Sequence, residues 1–219
     1  MSGTQKPFSK QSKLGLVLIT LGIVGCIFAI WLLNNNQKVP KAPPGALTSK
    51  SAPSSVKPAA VAVASYTVPP DNPKYLSIPT IGINQTRIIQ LGLTKDNQIA
   101  VPNNIYDTGW YSGSAEPGQS GAMFIYGHVS SWTANGIFYN LKKLKPGEKV
   151  TITRGDNKTY TYIVVSSKVY PYNDVNMQQV LSSVNPDQPG LNLMTCTGQV
   201  IKGTSQFNER LVVFTTLVD

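Results

Sequence analysis

Downstream of about Val68, apolar and polar positions alternate in short runs that Gly, Pro and Asn interrupt. Lys74–Ile78, Thr86–Leu91, Gly121–Tyr126, Lys149–Arg154, Thr159–Tyr170, Leu191–Cys196 and Arg210–Val218 combine this texture with β-branched and aromatic residues, the pattern of half-buried strands. Gly155-Asp156-Asn157-Lys158 separates two of these runs and predicts a hairpin turn. Leu191 and Leu193 alternate with Asn192 and Met194, so the two leucines share one face, and Thr197-Gly198 is expected to end that strand. Ile137–Leu144 and Val175–Leu181 each fit one short helix. Many short strands and few helical runs predict a mainly β domain over residues 67–219, either a closed or nearly closed barrel or a sandwich.

The pattern upstream is different. Leu14 to Leu33 forms an uncharged apolar run of 20 residues. At a helical rise of 1.5 Å it reaches about 30 Å, enough for a bilayer core. A cleaved signal peptide would have a shorter apolar core followed by small residues, whereas Asn34-Asn35-Asn36-Gln37-Lys38 follows here. Ile23-Val24-Gly25-Cys26 resembles a lipoprotein box, but seven apolar residues continue beyond it. The expected organisation is therefore a short tail over 1–13, a transmembrane anchor over 14–33, a disordered Pro/Ala/Ser/Lys linker over 34–66, and a folded body over 67–219. Ser54-Ser55-Val56-Lys57 matches an S-x-x-K motif, but a tether offers it no packed site. Lysines flank the apolar run on both sides. The short N-terminal tail and large C-terminal part fit a single-pass protein with its N-terminus in the cytoplasm and its body on the extracellular side.

Charge changes the picture in one respect. The net charge of +9 is concentrated upstream: residues 1–66 carry seven lysines and no acid. The body is close to balance, so it lacks the basic surface of a nucleic-acid binder, and no nucleic-acid partner is expected. A lysine-rich segment beside a membrane span suits anionic lipid. Two cysteines and one histidine exclude a disulfide-stapled scaffold and a four-ligand zinc site built from Cys and His alone.

Candidate chemistry is correspondingly sparse. Cys196 is the only thiol outside the apolar run and His128 is the only imidazole. Together they are the minimum set for cysteine nucleophilic catalysis. His128 follows a glycine at the end of the Gly121–Tyr126 strand, Cys196 closes its own strand, and Arg210 opens the last one. Antiparallel pairing of the last two strands would set Cys196 beside Arg210, about 5 Å away. An imidazole can take the thiol proton and later protonate a leaving amine. A guanidinium cannot lose its charge and suits a developing oxyanion. These roles describe acyl transfer through a thioester; the competing reading makes Cys196 a buried small hydrophobe.

Ile125-Tyr126-Gly127-His128, Leu193-Met194-Thr195-Cys196 and Arg210-Leu211-Val212-Val213 resemble the motifs of sortases, the membrane-anchored cysteine transpeptidases of bacterial surfaces. Val101-Pro102, Gly109-Trp110-Tyr111 and Pro117-Gly118-Gln119-Ser120-Gly121 extend the resemblance, which covers roughly Tyr75 to Asp219 and lies nearer classes D to F than A or B. It implies a closed sortase-type β-barrel with a few short helices. It also implies catalytic Cys196, His128 and Arg210, a substrate contact at Thr195 and no cofactor; the acid cluster that binds calcium in some sortases is not recognisable, so no metal is expected. The implied reaction cleaves an LPXTG-like sorting signal of exported proteins and transfers the acyl group to an amine of a peptidoglycan precursor or a pilin lysine. The family's strand usually reads Thr-Leu-x-Thr-Cys, and here Asn192 stands in place of the first threonine. A surface binding or assembly module on the same barrel, or an enzyme that only hydrolyses sorting signals, are the alternatives.

Overall fold

The computed structural model describes residues 52–219, so the expected anchor over 14–33 lies outside the described residues. Among the described residues no helix is long and apolar enough to cross a membrane. Eight strands close into one barrel: β1 (Pro73–Ile78), β2 (Ile83–Leu91), β3 (Thr108–Tyr111), β4 (Ala122–Gly127), β5 (Lys149–Arg154), β6 (Thr159–Pro171), β7 (Gly190–Val200) and β8 (Phe207–Leu217). Their order around the barrel is β1-β2-β3-β4-β7-β8-β6-β5, and β5 pairs back onto β1. The β2–β3 and β4–β7 pairs are parallel and all others antiparallel. Closure leaves no long unpaired sheet edge.

The two faces of the central strands build two cores. Met123 and Ile125 of β4, Leu191 and Leu193 of β7, and Leu211 and Val213 of β8 point into the barrel with Leu76, Ile152 and Tyr162. The alternate residues Phe124 and Tyr126, Met194, and Val212 and Phe214 point outward into a second apolar cluster. A strand buried on both faces loses the polar alternation of a half-exposed one. All six residues of β4 are buried for this reason. The second cluster is completed by Ile99 and Val101 from residues 92–107, and by Met177, Val180 and Leu181 from residues 172–189. These two long connections thus cover the outer face of β4, β7 and β8.

The short helix α2 (Met177–Val180) lies in the second connection; Asn176 caps it by accepting from Gln179 N at 3.0 Å. Asn192 explains how α2 is held. Its buried Nδ2 donates to Val180 O at 2.7 Å and Ser182 O at 2.9 Å. A threonine, with one donor, could not make both bonds. The family's usual residue is thus replaced by one that fastens this connection to the sheet.

Four sequence expectations need correction. The helix expected over Ile137–Leu144 is reduced to a 3-10 turn at Leu141–Lys143; Phe138 and Leu141 both pack into the inner core at a spacing that one turn satisfies. Strand β3 was not anticipated; its four residues are all buried and show no alternation. Thr197-Gly198 does not end β7, which runs to Val200 across a register shift between Thr197 and Val200. Gly198 has φ +80°, so it supplies a bulge in the ribbon instead of a stop.

The fourth concerns residues 52–66, which fall within the expected disordered linker but lie on the barrel. Ser54 N donates to Asn103 O at 2.7 Å and Ile105 N donates to Ser54 O at 2.9 Å. Asn104 Nδ2 reaches Val56 O at 2.8 Å, and Tyr66 Oη donates to Ile88 O at 2.7 Å. The helix α1 (Ala60–Ala64) follows, and Tyr75 Oη donates to Val63 O at 2.5 Å. Composition missed this docking because the bonds that make it come from backbone groups, Tyr66 of the segment, Asn104 and Tyr75 of the barrel.

Candidate active site

The β7–β8 pairing sets Cys196 directly opposite Arg210, and Thr197 opposite Glu209. Because β7 continues to Val200 and β8 starts at Phe207, both residues lie within strands and not at strand ends. Arg210 is laddered on both sides, to Cys196 of β7 and Tyr170 of β6, whereas Cys196 is laddered to β8 alone, because the β4–β7 pairing ends at Tyr126 and Met194. Cys196 follows Met194 onto the outer face, where it packs against the second apolar cluster and stays partly exposed. Beside it opens a cavity of about 180 Å³, lined among others by Val129, Ser130, Tyr139, Thr195 and Leu211. A larger groove of about 670 Å³ runs between residues 57–64 and β2, and none of Cys196, His128 or Arg210 lines it.

His128 is the first residue beyond β4. Its Nε2 lies 2.8 Å from Pro102 O. A carbonyl oxygen can only accept, so Nε2 carries the proton and the neutral ring presents its lone pair at Nδ1. Burial lowers the His128 pKa from its ordinary 6.5, and the Pro102 carbonyl partly opposes that shift. The imidazole is therefore neutral at neutral pH, the state of a waiting base. Phe138 N donates back to His128 O at 2.9 Å, closing residues 128–138 into a tight loop. A Cβ at Gly136 would run into the His128 carbonyl, so only glycine lets this loop close.

Arg210 is buried, with 3% of its surface exposed. Its Nη1 donates to Phe207 O at 2.9 Å and Glu209 O at 2.8 Å. Its guanidinium lies 5.8 Å from the Tyr172 ring centroid. Among the described residues no carboxylate forms an ion pair with it. A buried cation balanced only by carbonyls and a ring face is suited to stabilise new negative charge.

Thr195 is buried, and its Oγ1 donates to Gly127 O at 2.8 Å. The hydroxyl thus ties β7 to the residue immediately before His128. Thr195→Val keeps the shape but strands that carbonyl. We expect a stability loss of about 1–2 kcal/mol, measured by urea unfolding, together with reduced turnover.

The thiol and the imidazole share no direct hydrogen bond among the described contacts. The group that touches both is Tyr126, which the sequence analysis did not single out. Its Oη lies 3.0 Å from Cys196 Sγ, and its ring stands edge-on to the imidazole with centroids 5.8 Å apart. The signal was available, since Tyr126 is two residues before His128 and so shares the outward face of β4, but a strand buried on both sides gives its residues no polar contrast.

The closed eight-stranded barrel thus carries a partly exposed thiol, a neutral imidazole and a buried guanidinium on one sheet face, groups whose chemistry suits thiol-dependent acyl transfer. The family model for the sortase domain matches residues 76–218, and the chain belongs to the sortase family. Sortase A from Corynebacterium diphtheriae (a lid mutant) superposes with a TM-score of 0.50 at 27% identity, over 66% of this chain and 69% of that one. A Clostridium perfringens sortase D5 transpeptidase gives 0.50 at 25% identity, over 68% and 80%. Streptococcus pneumoniae sortase C shares the fold, with a TM-score of 0.51 at 22% identity over 68% and 70%. No match was found among curated proteins. The family and the first two of these neighbours support a sortase-type transpeptidase, and the matched folds span sortases A, C and D.

Proposed function

We propose that this protein is a membrane-anchored cysteine transpeptidase that cleaves an LPXTG-like sorting signal near the C-terminus of exported proteins. The observation that carries this reading is the pairing of Cys196 with the buried, carboxylate-free guanidinium of Arg210. In the first half-reaction the Cys196 thiol gives its proton to His128 Nδ1 and the sulfur attacks the Thr–Gly carbonyl. The oxyanion is stabilised by Arg210 through donors not engaged by Phe207 and Glu209. Collapse breaks the C–N bond, His128 protonates the departing glycine amine, and a thioester remains on Cys196. An incoming amine then loses a proton to His128 and takes the acyl group.

The acceptor is an amine of a peptidoglycan precursor or a pilin lysine. The chain is anchored through residues 14–33, with its N-terminus cytoplasmic and the barrel on the extracellular side, where such signals and acceptors meet.

A mass-spectrometric assay of LPXTG-like peptides, with candidate amines present, tests this directly: ligated product supports transfer. Hydrolysis alone under every amine would replace it with the sorting-signal hydrolase reading. Arg210→Lys keeps the charge but loses the planar donor fork. We expect kcat/KM to fall about 10²-fold or more, with Cys196 alkylation retained.

A further inference from the structure

We propose that Tyr126 is a further catalytic residue, whose phenolic hydroxyl donates a hydrogen bond to the Cys196 sulfur and stabilises its thiolate. The proposal rests on Cys196 being the nucleophile, as argued above. Oη sits 3.0 Å from Sγ, within the 4.0 Å reach of a sulfur hydrogen bond and closer than any other polar side chain recorded against this thiol. The phenol has no second hydrogen-bonding partner among the described contacts, so its proton is free to point at sulfur. Its direction is fixed from three sides. Tyr126 is buried at 4% exposure, its Cα pairs with Met194 of β7 and Gly109 of β3, and its ring abuts the imidazole edge-on.

Two features make the hydroxyl a donor and not an acid. Burial, and the neighbouring Cys196, push the Tyr126 pKa well above 10, so the proton stays on oxygen throughout the working pH range. A thiolate has no proton to give, so once Cys196 ionises the phenol must be the donor. Tyr126 transfers no proton in any step: the thiol proton goes to His128, and the Tyr126 O–H bond remains intact. The charged and titratable groups around the pair are Arg210 across the β7–β8 ladder, His128 beyond β4, Tyr172 against Arg210, Glu209, whose carboxylate sits by Gly198, Lys142 and Tyr139, which line the cavity beside Cys196, and Tyr111 and Tyr170 of the outer cluster. Among these only Tyr126 has a recorded hydrogen bond to sulfur. It compensates for the missing direct thiol–imidazole bond, because it favours the ionised sulfur without needing the imidazolium in contact.

The test is the pH profile of Cys196 alkylation by iodoacetamide in the full chain, resolved by peptide mass mapping, for wild type and Tyr126→Phe. Losing one charge-assisted bond moves the inflection upward by about one pH unit. Thiolate nucleophilicity rises with basicity with an exponent of about 0.4–0.5. The variant is therefore expected to react about threefold slower at neutral pH yet about threefold faster on the alkaline plateau, so the two profiles cross. Parallel profiles, or a uniform loss at all pH values, would show a packing role only and overturn the proposal. Should Tyr126→Phe fold poorly by thermal melting, 3-fluorotyrosine at the same position serves instead. Its more acidic phenol should shift the inflection downward, and no shift would be equally fatal. Alkylation needs no sorting peptide, so absence of transpeptidation would count against the proposed function while leaving this readout intact.

Discussion

Cys196→Ala abolishes both cleavage and ligation of a sorting-signal peptide, with the rate falling roughly 10⁴-fold or more. Alanine removes the only thiol on the outer face of β7, and the neighbouring hydroxyl cannot replace it, because burial keeps the Tyr126 phenol protonated and un-nucleophilic. The fold should tolerate the change. Cys196 is partly exposed, its backbone ladder with Arg210 is unaffected, and the lost sulfur leaves a space that already opens to a cavity. Thermal unfolding within a few degrees of wild type, together with undetectable turnover, is the expected pair of results. Retained turnover would favour the surface-module reading, in which Cys196 is packing alone.

His128→Ala has the second-largest effect, a loss on the order of 10³–10⁴-fold in kcat/KM, because one imidazole serves as base and then as acid. Its pH dependence carries more information than its size. In the folded protein burial lowers the His128 pKa from 6.5, so protonation in the free enzyme lies on the acid side of that value. The wild-type kcat/KM should rise through an inflection below pH 6.5 and level off by neutrality; His128→Ala should lack that limb. The same shift acts on stability. Between the lowered folded pKa and 6.5 the unfolded chain binds more protons than the folded one. Stability is therefore full above 6.5 and declines as pH falls towards the folded value. His128→Ala should flatten this part of a urea-midpoint profile. An acid limb that survives the substitution would assign it to another group.

The legible part of the fold was the part with one wet face. The β5–β6 hairpin stands where Val150 and Ile152 alternate with Thr151 and Thr153 and the turn holds Asn157 at φ +66°. Strands sealed on both faces were read less completely. Thr108–Tyr111 has neither alternation nor length, and Tyr126 was not singled out because nothing in an all-apolar run separates a barrel-facing residue from a site-facing one. Pairing of Cys196 with Arg210 followed from treating the last two strands as antiparallel neighbours, although Gly198 turned out to extend the ribbon past both residues. The bond from His128 to Pro102 could not be inferred from spacing. It joins residues 26 apart through a connection whose path is set by Ile99 and Val101 packing on the outer cluster. The docking of residues 52–66 was hidden for a related reason, since backbone hydrogen bonds to residues 103–105 leave no mark on composition.

The central claim is that the substrate carbonyl becomes covalently joined to Cys196 before any amine arrives. Trapping measures it: the full chain is incubated with an LPXTG-like peptide without an acceptor, quenched in acid, and mapped by mass spectrometry. The account predicts the acyl portion of the peptide, ending at threonine, on Cys196 as a hydroxylamine-labile thioester that disappears when a competent amine is added. Steady turnover of that peptide with Cys196 never modified, or modification at another residue, would contradict it.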